Sequence, residues 1–223
     1  MMYGNGVMRT PPVVANLLII NILVFLAEML LPKSAGDALY EFGALHFWAG
    51  GGFHIWQPLT YMFLHANFSH IFFNMFALWM FGRGLEYDLG SRRFLTYYIV
   101  CGVGAGLVQL GVNWIEYAAA ASSPMSSPLS IMRYAYASTI GASGAVFGLL
   151  LAFGMLHPNN VIMLVFPPIA LKAKWFVVIY GVIELLAGVS GRGGSVAHFA
   201  HLGGMLFGWA MLYYWKKRNK IYY

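Results

Sequence analysis

Apolar residues in this chain run in long blocks separated by polar breaks, without the strict alternation of half-buried strands. Six blocks approach the ~20 residues that carry a helix across a bilayer. They are residues 13–31, 58–81, 94–114, 141–156, 175–189 and 196–215, of which the fourth and fifth are the shortest. No small-residue cleavage site follows the first block, so it reads as an anchor rather than a signal peptide. No internal repeat is visible. The pattern predicts an all-α membrane protein, a bundle of six transmembrane helices forming one domain over 1–223, with short cytoplasmic tails at 1–12 and 216–223.

The breaks carry the charge. Arg9, Arg83, Arg92, Arg93, Lys172, Lys174, Lys216, Lys217, Arg218 and Lys220 fall in one alternating set of loops and tails, and only Lys33, Arg133 and Arg192 fall in the other. The basic-rich set is cytoplasmic by the positive-inside rule. Both termini then lie on that side, as an even helix count requires. The outer break at 32–57 holds Tyr40, Phe42, Phe47, Trp48, Phe53 and Trp56 and is expected to lie in the membrane interface. The outer break at 116–140 is rich in Ala, Ser and Pro and is expected to be irregular. The last outer break, 190–195, is Gly-rich and expected to bend as a lid.

Composition narrows the class. The chain is 60% hydrophobic and 9% charged, where a soluble domain carries about 25% charged residues. A net charge of +6 would suit nucleic acid, but the basic residues form no patch with interleaved aromatics. They report topology, and the partner they imply is membrane lipid. The single cysteine, Cys101, lies in an apolar block, so no disulfide framework exists. The chain reads as a multi-pass integral membrane protein. A bacterial cell membrane is the simplest assignment, because no appended targeting segment is evident.

Against this apolar background two polar residues stand out. Ser143 opens the fourth block in Gly141-Ala142-Ser143-Gly144, and His201 lies near the outer end of the sixth in Ala200-His201-Leu202-Gly203-Gly204. Polar side chains inside a membrane are costly and usually line a wet cavity. His70 and Asn74, four residues apart on the second block, share a helix face near the same outer side. His65 precedes them at the mouth of that helix. Each of Ser143 and His201 is followed by a GxxxG run, Gly144 to Gly148 and Gly204 to Gly208. Small residues at this spacing let membrane helices approach backbone to backbone, which would bring serine and histidine within the ~2.6–3.2 Å of proton abstraction. At the first turn of a helix Ser143 also offers an unpaired backbone N–H to a developing oxyanion, and His70 and Asn74 can add side-chain donors.

Together, His65-Ala66-Asn67-Phe68-Ser69-His70-Ile71-Phe72-Phe73-Asn74, Gly141-Ala142-Ser143-Gly144 and Ala200-His201-Leu202-Gly203-Gly204 resemble the signature motifs of the rhomboid family of intramembrane serine proteases, from Trp56 to about Gly208. The resemblance implies a rhomboid-like bundle and a Ser143/His201 dyad without a carboxylate. It implies an oxyanion hole from His70, Asn74 and the Ser143 amide beside Gly141, and structural support from His65, Glu86, Gly144, Gly148, Gly204 and Gly208. His65 would brace the first outer loop. No cofactor and no metal is implied. Substrates would be transmembrane-helix proteins cut where the helix unwinds. The chain departs from the family pattern at Gln57, where many members have arginine after the tryptophan, and at Phe147, where some have a tyrosine that stacks on the histidine.

Blander readings compete. A lone membrane serine is usually a packing residue bonded to its own backbone, and here the accompanying motifs outweigh that. His198 and His201 at i,i+3 resemble a metal pair, but the sequence offers no clear third ligand and no H-E-x-x-H run. Glu184, a carboxylate inside the fifth block, reads as a structural hydrogen-bonding group ahead of a third triad member. His46, His54 and His157 read as interfacial or solvated. A catalytically silent relative that binds or escorts membrane clients is the alternative function, and retention of both Ser143 and His201 argues against it. A transporter would need paired broken helices in two repeats.

Overall fold

Each of the six apolar blocks overlaps a helix of 14 residues or more, though their ends differ. The computed structural model describes residues 10–163, 168–190 and 197–218. In chain order it contains α1 (Pro12–Leu30), α2 (Lys33–Gly43), β1 (Leu45–His46), α3 (Gln57–Thr60), α4 (Phe68–Leu89), α5 (Ser91–Ser122), α6 (Pro128–Ala135), β2 (Ser138–Thr139), α7 (Ser143–Leu156), β3 (Val161–Met163), β4 (Ala170–Lys172), α8 (Ala173–Ser190) and α9 (His198–Lys217). Helices α1, α5 and α8 are long and apolar enough to cross a membrane. Helix α7 has 14 residues, or about 21 Å at 1.5 Å per residue. Polar and glycine residues lower the hydropathy of α4 and α9. Helix α1 turns Ile19, Leu23, Met29 and Leu30 outward, and α8 does the same with Trp175, Val182, Ile183, Leu186 and Val189. A water-soluble surface rarely carries so large an apolar patch. This is an integral membrane protein.

Helices α5, α7 and α9 form the centre, and glycines set their separation. A Cβ on Gly204 would overlap the carbonyl of Gly144, so α7 and α9 meet backbone to backbone there. Gly148 and Gly208 both face Cys101 of α5. Side chains add further ties to α5. The Tyr97 hydroxyl donates to the Gly148 carbonyl at 2.8 Å, and the Tyr61 hydroxyl to Gly102 at 2.6 Å. The two GxxxG runs therefore pack α7 and α9 against each other and both against α5.

Glu86 closes the other end of the bundle. Its carboxylate accepts from the amides of Val13 and Val14 at 3.0 and 2.8 Å and from the Ser91 hydroxyl at 2.7 Å. It thereby pairs two of the free donors of the first turn of α1, where the helix dipole favours negative charge, and clamps the start of α5.

Three expectations change. The segment 116–140 is largely helical: α5 continues to Ser122 through Ala118-Ala119-Ala120-Ala121, a run of the strongest helix formers. Helix α6 starts on an N-cap Ser127 whose Oγ accepts from the Ser130 amide at 3.1 Å, with Pro128 at its first position. The bundle is also not purely α. Strand β1 pairs antiparallel with β2, Leu45 opposite Thr139 and His46 opposite Ser138, and β3 pairs with β4. Finally, the second block is not one helix from 58 to 81: α4 starts at Phe68, after the short α3, and runs on to Leu89. The lid expected at 190–195 lies, beyond Ser190, outside the described residues.

Candidate active site

The β1–β2 ladder positions the segment that carries Ser143. It joins the first outer loop to residues just upstream of Gly141, and the Phe47 amide extends it by donating to Ala137 at 2.9 Å. The Gly141 amide then donates to the Tyr61 carbonyl at 2.8 Å. Gly141 adopts φ +123, a backbone conformation that side-chain-bearing residues rarely enter. A Cβ at this position would sit 2.7 Å from His70 Nε2 and 3.8 Å from Ser143 Oγ, so only glycine leaves that space open.

Ser143 is the first residue of α7 and His201 the fourth of α9. His201 Nε2 lies 2.8 Å from Ser143 Oγ. On its other side, His201 Nδ1 lies 2.9 Å from Glu184 Oε2. A carboxylate can only accept, so Nδ1 carries the proton and Nε2 is left to accept from the serine hydroxyl. Phe147 stacks on the imidazole with centroids 4.2 Å apart and planes 7° from parallel. The ring is thus held by two in-plane hydrogen bonds and one face contact. The phenylalanine that replaces tyrosine preserves the stacking.

His70 and Asn74 lie one turn apart near the start of α4. Asn67 caps α4 by accepting the His70 amide at 2.9 Å, which sets the first turn. The Ala66 amide donates to His70 Nδ1 at 3.3 Å. Nε2 therefore holds the ring proton and faces the open space beside Gly141. Asn74 is buried, and its Nδ2 has no hydrogen-bond partner among the described residues. A buried unpaired amide costs free energy unless something arrives to accept from it. The ring of His65 lies edge-on to His70 at 5.0 Å, and its amide donates to Glu28 of α1 at 3.2 Å.

Gln57 performs the anchoring at the position where many family members have arginine. Its Oε1 accepts from the amides of His46 and His54 at 3.3 and 3.0 Å, and its Nε2 donates to the carbonyls of Glu41 and Gly52 at 3.2 and 3.0 Å. One buried amide side chain thus gathers four backbone groups of the first outer loop. Trp56 adds a fifth tie, its Nε1 donating to the Phe42 carbonyl at 2.9 Å.

Glu184 and His198 join this cluster, although neither belongs to the motifs around Ser143 and His201. Glu184 Oε2 also lies 2.7 Å from His198 Nδ1, so it bridges the two histidines of α9. The available signal is the carboxylate itself, since an ionisable residue inside an apolar helix calls for a partner.

A family model for the Rhomboid domain matches residues 52–218. This chain belongs to the rhomboid family. Among similar rhomboids, Rhomboid protein 1, mitochondrial, of Saccharomyces cerevisiae is 35% identical over 153 residues, covering 69% of this chain and 39% of that protein. Rhomboid protease AarA of Providencia stuartii is 27% identical over 198 residues, covering 86% of this chain and 68% of that protein. Rhomboid-like protein 11, chloroplastic, of Arabidopsis thaliana is 28% identical over 198 residues, covering 86% of this chain and 61% of that protein. The chain therefore spans between 39% and 68% of the length of these relatives. Two of the three are mitochondrial or chloroplastic by name, so the similarity supports an integral membrane protein and does not support assignment to a bacterial cell membrane.

Proposed function

We propose that this rhomboid is an intramembrane serine endopeptidase that hydrolyses peptide bonds in or near the transmembrane segments of other membrane proteins. The observation that carries the reading is the Ser143–His201–Glu184 relay, with 2.8 Å and 2.9 Å separations on the two nitrogens of one imidazole. Six spans, one domain and both termini on the cytoplasmic side belong to the same reading. The basic residues concentrated in one set of loops support it.

In this reading Ser143 Oγ attacks the scissile carbonyl carbon while its proton passes to His201 Nε2. The imidazolium that forms is stabilised by Glu184, which keeps its charge. The carbonyl oxygen, now an alkoxide, meets the His70 Nε2–H, the Asn74 Nδ2–H and the Ser143 amide, which as the first residue of α7 has no intrahelical carbonyl to pair with. His201 returns the proton to the leaving amine. The C–N bond breaks, leaving an ester on Ser143. Water then attacks that ester with His201 again as base and releases the acid. The helix N-terminus at Ser143 adds positive potential at the site of developing negative charge.

The test is cleavage of a reporter with a single transmembrane helix interrupted by helix-breaking residues, co-reconstituted in liposomes. Wild type yields two fragments whose masses sum to reporter plus one water, and Ser143→Ala and His201→Ala yield none. Cleavage by Ser143→Ala at the wild-type rate overturns the assignment.

A further inference from the structure

The proposed mechanism uses one histidine on Glu184, and the structure supplies two. His198 and His201 lie one turn apart on the same face of α9, and both direct Nδ1 at Glu184 Oε2, at 2.7 and 2.9 Å. The three ligand atoms all lie within 4.8 Å of one another. The side chains of His198, Glu184 and His201 are only 13%, 10% and 10% exposed. Among the described residues the other ring nitrogen of His198 has no hydrogen-bond partner, so Glu184 is what this ring is built to meet. Two imidazoles and a carboxylate brought this close together are the donor set of three-ligand zinc sites.

We propose that Glu184, His198 and His201 form a binding site for a divalent transition-metal ion of the zinc type, and that its occupation switches the hydrolase off. The inhibitory half rests on the reading of His201 as the base. An ion on His201 Nδ1 shifts the ring's one proton from that nitrogen to Nε2. That nitrogen faces Ser143 Oγ at 2.8 Å and, once protonated, can only donate to it. The same ion engages the Glu184 carboxylate, which no longer orients the ring or stabilises an imidazolium. Metal binding and base catalysis are mutually exclusive because they require the ring proton on opposite nitrogens of His201.

The geometry needs a small expansion. Hydrogen-bonded ligands under 3 Å apart must separate to about 3.3 Å around a tetrahedral ion with bonds of about 2.0–2.1 Å. Helix α8 can supply it, because only Ala173, Phe176, Val177 and Glu184 are buried along its 18 residues. Phe147 covers one face of His201, which directs the ion to approach in the ring plane along Nδ1.

The experiment uses the full chain in detergent micelles, with Co²⁺ alone as the spectroscopic probe and hydrolysis of a transmembrane reporter as a separate readout. Wild type and Ser143→Ala, which both keep all three ligands, should develop the visible absorption of four-coordinate Co²⁺ at one equivalent, and Zn²⁺ should bleach it. His198→Ala should bind at least about 100-fold more weakly. His198→Asn, which can still donate to Glu184, should behave likewise, and an unchanged thermal transition in either variant shows that the fold is intact. In the reporter assay Zn²⁺ should inhibit wild type, a chelator should restore it, and the hydrolysis that remains in His198→Asn should be insensitive to Zn²⁺. Absence of the Co²⁺ spectrum in folded wild type, or equal Co²⁺ binding by wild type and both His198 variants, overturns the site. Equal Zn²⁺ inhibition of wild type and His198→Asn overturns the switch. A saturable Co²⁺ site in a protein that cleaves no reporter upholds the site and counts against the protease reading alone.

Discussion

Glu184 Oε2 lies 2.9 Å from Nδ1 of His201, across the gap between α8 and α9. That contact decides which nitrogen of the imidazole carries a proton, and therefore whether the other can accept one from Ser143. An isolated serine–histidine pair would leave the tautomer to chance. Here a buried carboxylate from a neighbouring helix fixes it.

Glu184→Gln should lower kcat by about 10²-fold or more while leaving KM nearly unchanged, since the substitution preserves shape and reverses the hydrogen-bonding logic. The glutamine amide can donate to Nδ1, which puts the ring proton on Nε2, where it faces Ser143. Steady-state cleavage of a reporter in liposomes measures this. A kcat within twofold of wild type would mean that Glu184 acts only in packing.

Asn74→Ala should separate activity from stability. Among the described residues Asn74 Nδ2 has no hydrogen-bond partner, so removing it breaks no bond to Nδ2 in the resting protein. The expected loss is about 10²–10³ in kcat, the usual cost of one oxyanion donor, with a thermal midpoint equal to or above that of wild type. Differential scanning fluorimetry beside the kinetic assay checks both. A large drop in midpoint with unchanged kcat contradicts the role.

Gly204→Ala should impair folding itself. Its Cβ would collide with the Gly144 carbonyl, and backbone on both helices must move to admit it. Overpacking of this kind costs about 1–3 kcal/mol, and here it also displaces Ser143 from His201. Unfolding in mixed micelles should show the loss of stability, and activity should fall with it. By contrast, Gly84→Ala, where a Cβ meets nothing within 4 Å, should be neutral on both measures.

Gln57→Leu should loosen the first outer loop. Four backbone groups lose their partner, at about 0.5–1.5 kcal/mol for each hydrogen bond. Hydrogen exchange should then speed up at the amides of His46 and His54, which donate to Gln57. Unchanged protection there would show that the surrounding backbone holds itself.

The parts of this molecule legible in the sequence are those encoded locally. Apolar block length marks six long helices, and the short motifs around His70, Ser143 and His201 name residues that do converge, because each is fixed by its own helix start. What the sequence conceals is pairing between distant segments. Leu45 meets Thr139 across more than ninety residues, and no periodicity in two-residue strands announces it. Gln57 looks like a polar substitution in a motif, yet its four partners all lie in the preceding loop. Glu184 shows itself as a carboxylate in an apolar helix, but its two histidines are 14 and 17 residues away on the next helix. The segment 116–140 misleads for a different reason. Its small residues suggest a loop, while alanine is the strongest helix former and a serine–proline pair is a helix start.

The proposed hydrolysis depends first on activation of Ser143 as a nucleophile by His201. The most direct measurement is covalent labelling of the purified full chain by a fluorophosphonate, with the modified peptide located by mass spectrometry. Wild type should give a single adduct on Ser143, Ser143→Ala none, and His201→Ala labelling slowed by about 10²-fold or more. Equal labelling of Ser143→Ala, or His201→Ala reacting at the wild-type rate, would contradict it.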